Sequence, residues 1–271
     1  MKAVISSTYD DLYFFFLPIV TWSWNKLGVD VIVFLPFDGA RNNVSKAFLV
    51  GNTMASQNLS FELHTFSSPD HKAATYSQCA RLYAAALGHL PADEVLITGD
   101  VDMAVFNKDY FNQANNGLIN VFGADLVPSG QYPICYVAMP VDTWREVMWL
   151  WPGESPQTYL DNLLGELECE HFKGNYWAKD QETIYNALTA QAWPVIKHFR
   201  AKAPHAFATY RADRDGWPDA PMPGIIDAHL PRPGYTDENF RKILKLFKDV
   251  YPEEDFSWMV EYQQKYLKLT Q

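Results

Sequence analysis

A chain of 271 residues, 48% hydrophobic and 15% aromatic, can bury a sizeable core, which excludes intrinsic disorder and allows one large α/β domain. Its formal net charge of −10 at pH 7, with no dominant block of like charge, excludes non-specific nucleic-acid binding, which needs Lys and Arg against phosphates. Any phosphate-bearing ligand would need a local source of positive charge. Three scattered cysteines, Cys79, Cys135 and Cys169, give neither a disulfide framework nor a Cys-rich zinc pattern, so a reducing, cytoplasmic compartment is expected.

In chain order, Ala3–Ser6 reads as a strand and Asp11–Leu27 as a helix closed by Gly28. Its apolar stretch Leu12–Trp24 is too short to span a bilayer, so no transmembrane segment is expected. Val29–Leu35 is a β-branched strand stopped by Pro36, residues 40–53 a helix, Phe61–Phe66 a strand, His71–Leu90 a long helix and Val95–Thr98 a fourth strand. This alternation implies βαβ units in a mostly parallel sheet, whose ligands bind beyond the carboxyl ends of the strands. Beyond residue 107, Gln131–Met139 reads as a strand, and Val141–Trp151 and Asp180–Gln191 as helices. Residues 200–235 look loop-like, and Thr236–Val250 and Asp255–Leu269 are two terminal helices. A single domain over 1–271 is expected, with boundaries near 106 and 235 separating its halves from the terminal helices.

The fourth strand runs directly into Asp100-Val101-Asp102, and a second apolar run, Met103–Phe106, follows. Were this segment extended, the two carboxylates would face the same side and repel. No Lys or Arg lies within it, and a hard divalent cation would resolve both the repulsion and the burial. The plain alternative is a solvated loop with one Asp capping the next turn.

The stretch "ARLYAAALGHLPADEVLITGDVDMAVF" resembles the nucleotide-sugar segment of GT-A fold glycosyltransferases, most of all the group containing glycogenin and the lipooligosaccharide galactosyltransferases. Three further segments are similar to that family in the right order: "YPICYVAMPVDTWREV", "WAKDQETIYNAL" and "DAHLPRPGY". The resemblance implies a Rossmann-like GT-A domain of about 1–106 for the nucleotide-sugar and about 107–235 for the acceptor and a histidine loop, with C-terminal helices over 236–271. It implies Mn²⁺, with Mg²⁺ as the alternative, held by Asp100, Asp102 and His229. His205 is the next histidine candidate, and Asp227 a rival or supporting partner.

Ser6, Ser7, Thr8 and Tyr9 would hold the nucleoside, with Tyr9 stacking on the base. Arg81, Asp100, Val101 and Arg232 complete the implied donor site, Arg232 being placed to pair with the pyrophosphate. Arg81 reads equally as a surface arginine. Asp180 and Gln181 would sit at the reacting sugar carbon, and Asp180 also suits a helix N-cap. Trp144, Trp177 and Trp217 are candidates to face sugar rings. Arg241, Lys242, Lys245 and Lys248 lie on a helix that could touch an anionic membrane peripherally, though a solvated face reads better.

The first loop has Ser7 and Thr8 where the family has Asp and Asn, and Ile134-Cys135-Tyr136 replaces its Asn-Ala-Gly. Retention or inversion is therefore open. The implied function is metal-dependent transfer of a sugar from a nucleotide diphosphate, a UDP-sugar first, to a hydroxyl of a glycan or glycoconjugate. The alternatives are a sugar-nucleotide nucleotidyltransferase, against which the glycine-free Ser6–Tyr9 loop counts, and a non-catalytic nucleotide-sugar or glycan binding module.

Overall fold

The computed structural model describes residues 1–37, 43–165, 176–191, 193, 195–200, 210–220 and 222–271. The helix at 40–53 begins, within these, at Val44 and runs to Ser56. Cys169, His171 and His205 lie outside the described residues.

The β-branched run after Gly28 becomes a strand buried at every position but its first, because helices cover the sheet on both faces. The strands are β1 (Lys2–Ser6), β2 (Asp30–Pro36), β3 (Phe61–Phe66), β4 (Val95–Thr98), β5 (Met103–Val105), β6 (Ile119–Phe122), β7 (Val137–Pro140), β8 (Ile196–Phe199), β9 (Arg211–Ala212) and β10 (Asp227–His229). Seven form one sheet in the order β3-β2-β1-β4-β7-β6-β8, parallel throughout except for β7, which is antiparallel to both β4 and β6. Strand order reverses at β1, with β2 and β3 on one side and β4 on the other. A crevice therefore opens between the loops that leave β1 and β4.

The segment 200–235 is less irregular than its composition suggests. It supplies β9 and β10, and β10 pairs antiparallel with β5 and parallel with β9 to form a second, three-stranded sheet. Its main chain is tied to the crevice directly, since Leu230 N–H donates to the Asp102 carbonyl at 2.8 Å.

Several expected elements are broken where the local chemistry requires it. Asp11–Leu27 is two helices, Asp11–Phe14 and Leu17–Lys26; Pro18 lies in the first turn of the second, where its missing N–H costs nothing. His71–Leu90 is an α-helix over Ala73–Ala80 followed by a 3₁₀ helix over Arg81–Ala86, and the change falls where the Arg81 guanidinium turns inward. Only the end of Gln131–Met139 is a strand, preceded by a 3₁₀ turn at Ile134–Tyr136, because Pro133 has no N–H for a ladder. The following helix stops at Met148, with Trp149 left-handed at φ 56°.

The core has one part on each face of the main sheet. On one, Phe15 and Trp22 meet the terminal helices Asp237–Val250 and Ser257–Lys268, with Tyr262 stacked on Phe15 at 5.1 Å and Phe247 5.7 Å from Trp22 between ring centres. On the other, Tyr76, Leu82, Trp144 and Ile184 pack together. Burying Phe15 and Tyr262 gains about 2 kcal/mol or more each, so the C-terminal helices belong to the core. Among the described residues no helix is long and apolar enough to cross a membrane. On Asp237–Val250, Lys242 pairs with Glu238 at 2.9 Å and Lys245 with Asp249 at 2.7 Å, so these two basic side chains are partnered within their own helix.

Candidate active site

A cavity of about 930 Å³ occupies the crevice at the carboxyl ends of β1, β2 and β4. Ser6, Ser7, Thr8 and Tyr9, which follow β1, line one side. The Ser6 hydroxyl bonds the Phe34 carbonyl at 3.1 Å and Ser77 Oγ at 2.9 Å, and Ser7 N–H donates to the same carbonyl at 3.1 Å. The loop is thereby fixed to β2. Tyr9 leans on Phe14 at 4.8 Å between ring centres, and burial raises its phenol pKa.

The Asp100–Asp102 segment is a turn and not an extended strand end, closed by Met103 N–H to the Asp100 carbonyl at 3.1 Å. Both carboxylates and Val101 line the cavity, and basic side chains from elsewhere in the chain pair with the two carboxylates. Asp100 is paired with Arg81, and Asp102 with Arg214, Arg232 and His229.

Arg81 is buried, which overturns its reading as a surface residue. Its Nη1 donates to the Gly99 carbonyl at 2.8 Å and to Asp100 Oδ1, its Nε to the Gln78 carbonyl at 3.2 Å, and its Nη2 to Asp180 Oδ2 at 2.9 Å. Burial pushes the Asp100 carboxyl up, but Arg81 more than offsets this and holds it below the usual range.

Asp180 does not cap its helix, Lys179–Thr189. It lies one place inside, behind Ala178, with Oδ1 accepting from Gln181 N–H at 2.8 Å. Its pKa is raised, burial outweighing the opposing pull of Arg81. Next to it, Gln181 Oε1 is buried with no hydrogen-bond partner among the described residues.

The third wall comes from the small sheet. Asp102 Oδ2 lies 3.1 Å from Arg214 Nη2, 3.6 Å from His229 Nε2 and 3.7 Å from Arg232 Nε. Arg214 Nε donates to His229 Nδ1 at 3.2 Å, while Arg214 Nη1 is buried without a partner among the described residues. Arg232 donates to the Tyr13 hydroxyl and lies over its ring at 4.7 Å. Asp227 is no rival ligand: the wholly buried first residue of β10, it takes two bonds from Arg211, at 2.9 and 2.6 Å.

Of the tryptophans, only Trp177 lines the cavity, and it is 43% exposed. Trp144 is in the core, its Nε1 donating to the Leu96 carbonyl at 3.2 Å. Trp217 packs beside the core, away from the lining.

As placed, Asp100, Asp102 and His229 do not fit Mn²⁺ or Mg²⁺. A neutral imidazole that accepts at Nδ1 from Arg214 carries its proton on Nε2, the nitrogen facing Asp102, and so offers a cation no lone pair there. Burial lowers the His229 pKa and favours that neutral ring, with Asp102 opposing and Arg214 assisting. Asp100 is occupied by Arg81, and among the described residues no three His, Cys, Asp or Glu side chains are arranged to hold a metal ion.

The cavity is polarised. At one end Arg81 answers two carboxylates, Asp100 and Asp180, and at the other Asp102 is met by two guanidiniums, with Asp213 Oδ2 3.7 Å from His229 Nδ1 and Asp10 also in the lining. Arg214 and Tyr13 are the site residues that the sequence does not single out. Their available signals are weak: a charge-dense Arg211–Asp215 run in an acidic chain, and a tyrosine four places after Tyr9.

The sequence matches no protein-family model and no curated protein. Solved structures do resemble the fold. The galactosyltransferase LgtC, in complex with donor and acceptor sugar analogs, superposes with a TM-score of 0.50 at 10% identity, covering 98% of this chain and 100% of that one. Glycosyltransferase GlyE of Streptococcus pneumoniae TIGR4 gives 0.48 at 9% identity, over 99% of this chain and 63% of that one. Mouse xyloside xylosyltransferase 1 gives 0.41 at 9% identity, over 84% and 96%. In sheet order, and in its likeness to LgtC along the whole length, the chain has the GT-A fold.

Proposed function

We propose that the protein is a glycosyltransferase that moves a sugar from a nucleotide diphosphate, a UDP-sugar in first place, to a hydroxyl of a glycan or glycoconjugate. The observation that carries this is the polarity of the cavity. A nucleotide-sugar has a dianionic diphosphate at one end of its reacting bond and, in the transition state, an electron-poor sugar carbon at the other. The Arg214–Arg232 end suits the first and the Asp100–Arg81–Asp180 end the second. The Ser6–Tyr9 loop then takes the nucleoside, with the Tyr9 ring against the base, and Trp177 offers a face to a sugar ring.

In the transfer, the acceptor oxygen bonds to the anomeric carbon as that carbon's bond to the phosphate oxygen breaks, and the electron pair leaves on the diphosphate. The acceptor proton must also leave. If the reaction inverts, Asp180 takes it as general base, and its raised pKa suits that role. If it retains, Asp180 orients donor and acceptor instead. Gln181 Oε1, an acceptor without a donor, is available to a sugar hydroxyl in either course.

The test is release of UDP from a panel of UDP-sugars, with and without oligosaccharide acceptors, by wild type and Asp180→Asn. Release that falls at least tenfold in the variant supports the assignment. UDP binding without release from any donor would instead make the protein a binding module. Pyrophosphate-dependent formation of UTP from a UDP-sugar would make it a nucleotidyltransferase.

A further inference from the structure

We infer that Arg214, together with Arg232, forms a guanidinium clamp for the diphosphate that takes the place of a divalent cation, so that this chain binds nucleotide diphosphates without metal. The inference rests on the proposed nucleotide-sugar site and goes beyond it, because neither the GT-A fold nor the Asp-Val-Asp sequence implies it.

Arg214 is held on two of its three nitrogens, by His229 through Nε and by Asp102 through Nη2. The third, Nη1, is buried and donates to nothing among the described residues, and Arg214 is one of the residues that line the cavity. A buried guanidinium arm left without an acceptor is unfavourable, and a phosphate oxygen would satisfy it with a charge-assisted bond. Arg232 Nε lies 3.7 Å from the same carboxylate oxygen, and its guanidinium is held by the Tyr13 hydroxyl and ring.

Two guanidiniums against one carboxylate leave an excess positive charge where an anion can reach it. Arg214 is also fixed before any ligand arrives, so little side-chain freedom is lost on binding. A cation placed between Asp102 Oδ2 and His229 Nε2 would compete with both guanidiniums for that oxygen and would need the Nε2 proton moved, at the expense of the Arg214–His229 bond. It would then sit beside two like charges. Asp102 is in this arrangement a counter-ion that holds the clamp open, and not a metal ligand.

Calorimetric titration of UDP, in EDTA and again with Mn²⁺, separates the two arrangements. The expected result is binding in EDTA that Mn²⁺ strengthens by no more than about threefold. Arg214→Met is expected to weaken it about 30-fold in EDTA, with Arg214→Lys recovering part of the loss. Asp102→Asn should keep or strengthen UDP binding, because it frees both guanidiniums, whereas loss of a metal ligand would abolish it. Thermal melts of each variant identify any that fails to fold, and the wild-type comparison between EDTA and Mn²⁺ decides without them. Binding by the wild type only with Mn²⁺ would overturn the clamp and leave the glycosyltransferase assignment standing. Absence of UDP, UDP-sugar and GDP binding under both conditions would overturn both.

Discussion

Arg81 and Asp180 lie 99 positions apart in the chain, and Nη2 of the one donates to Oδ2 of the other at 2.9 Å with both side chains almost wholly buried. The same guanidinium holds Asp100, so one cation joins the helix after β3, the turn after β4 and the helix carrying Gln181. Arg81→Met removes the charge that compensates both carboxylates and should cost about 3–5 kcal/mol of stability. Asp180→Asn leaves Arg81 with Asp100 and should cost less. Urea denaturation of both variants gives the order, and an equal or reversed cost would show that Arg81 does not carry the compensation.

Asp180 also sets a pH dependence. Its folded pKa is raised above the ordinary value of about 3.9, so the folded state binds this proton more tightly than the unfolded chain does. The resulting stability is fully present below about pH 3.9 and is lost as the pH rises through the folded value. Asp180→Asn lacks that loss. The stability of the variant relative to wild type should therefore climb with pH above about 4, as read from denaturation midpoints taken at intervals up to neutrality. A constant difference would mean that the Asp180 pKa is unshifted.

Gln181 Oε1 has no hydrogen-bond partner among the described residues, so its removal should leave stability nearly unchanged and act on turnover. Gln181→Ala is expected to lower kcat/KM for UDP-sugar cleavage about 5- to 100-fold, the worth of one hydrogen bond to a sugar hydroxyl of roughly 1–3 kcal/mol. An unchanged kcat/KM with an unchanged melt would remove Gln181 from the site.

Tyr13 offers a graded test of how Arg232 is aimed. Tyr13→Phe keeps the ring under the guanidinium and removes the hydroxyl, which should weaken UDP binding by about 0.5–1.5 kcal/mol. Tyr13→Ala removes both and should weaken it by a further 0.5–1 kcal/mol or so. Equal affinities in the three proteins would show that Arg232 does not depend on Tyr13 for its position.

Within the small sheet, Asp227 of β10 is paired with Arg211 of β9 and is not part of the cavity lining. Asp227→Ala should lower stability by about 3–5 kcal/mol, since it leaves a buried guanidinium without its carboxylate. A melting temperature within about a degree of wild type would contradict that role.

What the sequence made legible was local. β3 and β4 are bounded in the structure as their apolar runs suggest, and β1 and β2 begin and end within one residue of expectation. Ser6–Tyr9, Arg81, Asp100, Asp102, Asp180, Gln181, His229 and Arg232 are all brought to one cavity. Partnership was not legible. Arg214 sits in a loop among other arginines, and only the pairing of β10 with β5 and β9 brings it to Asp102. For the same reason the carboxylate pair looked uncompensated, since its counter-charges come from positions 81, 214 and 232. β6 hides behind Asn120, a polar residue in its centre that is wholly buried, and β9, two residues long with a charged first position, has no periodicity to read.

The polarity of the cavity has a consequence for ligands that have not yet made contact. Opposite excess charges at its two ends act on an entering molecule as a fixed field that exerts a torque, so the proposed nucleotide-sugar would be turned phosphate-first toward Arg214 and Arg232 while still solvated. The reversed pose would bring the diphosphate against Asp100 and Asp180 and is repelled. A free sugar, with no charge to feel that torque, enters in every orientation. On the proposed assignment, discrimination between donor and free sugar would begin with alignment, before shape is tested.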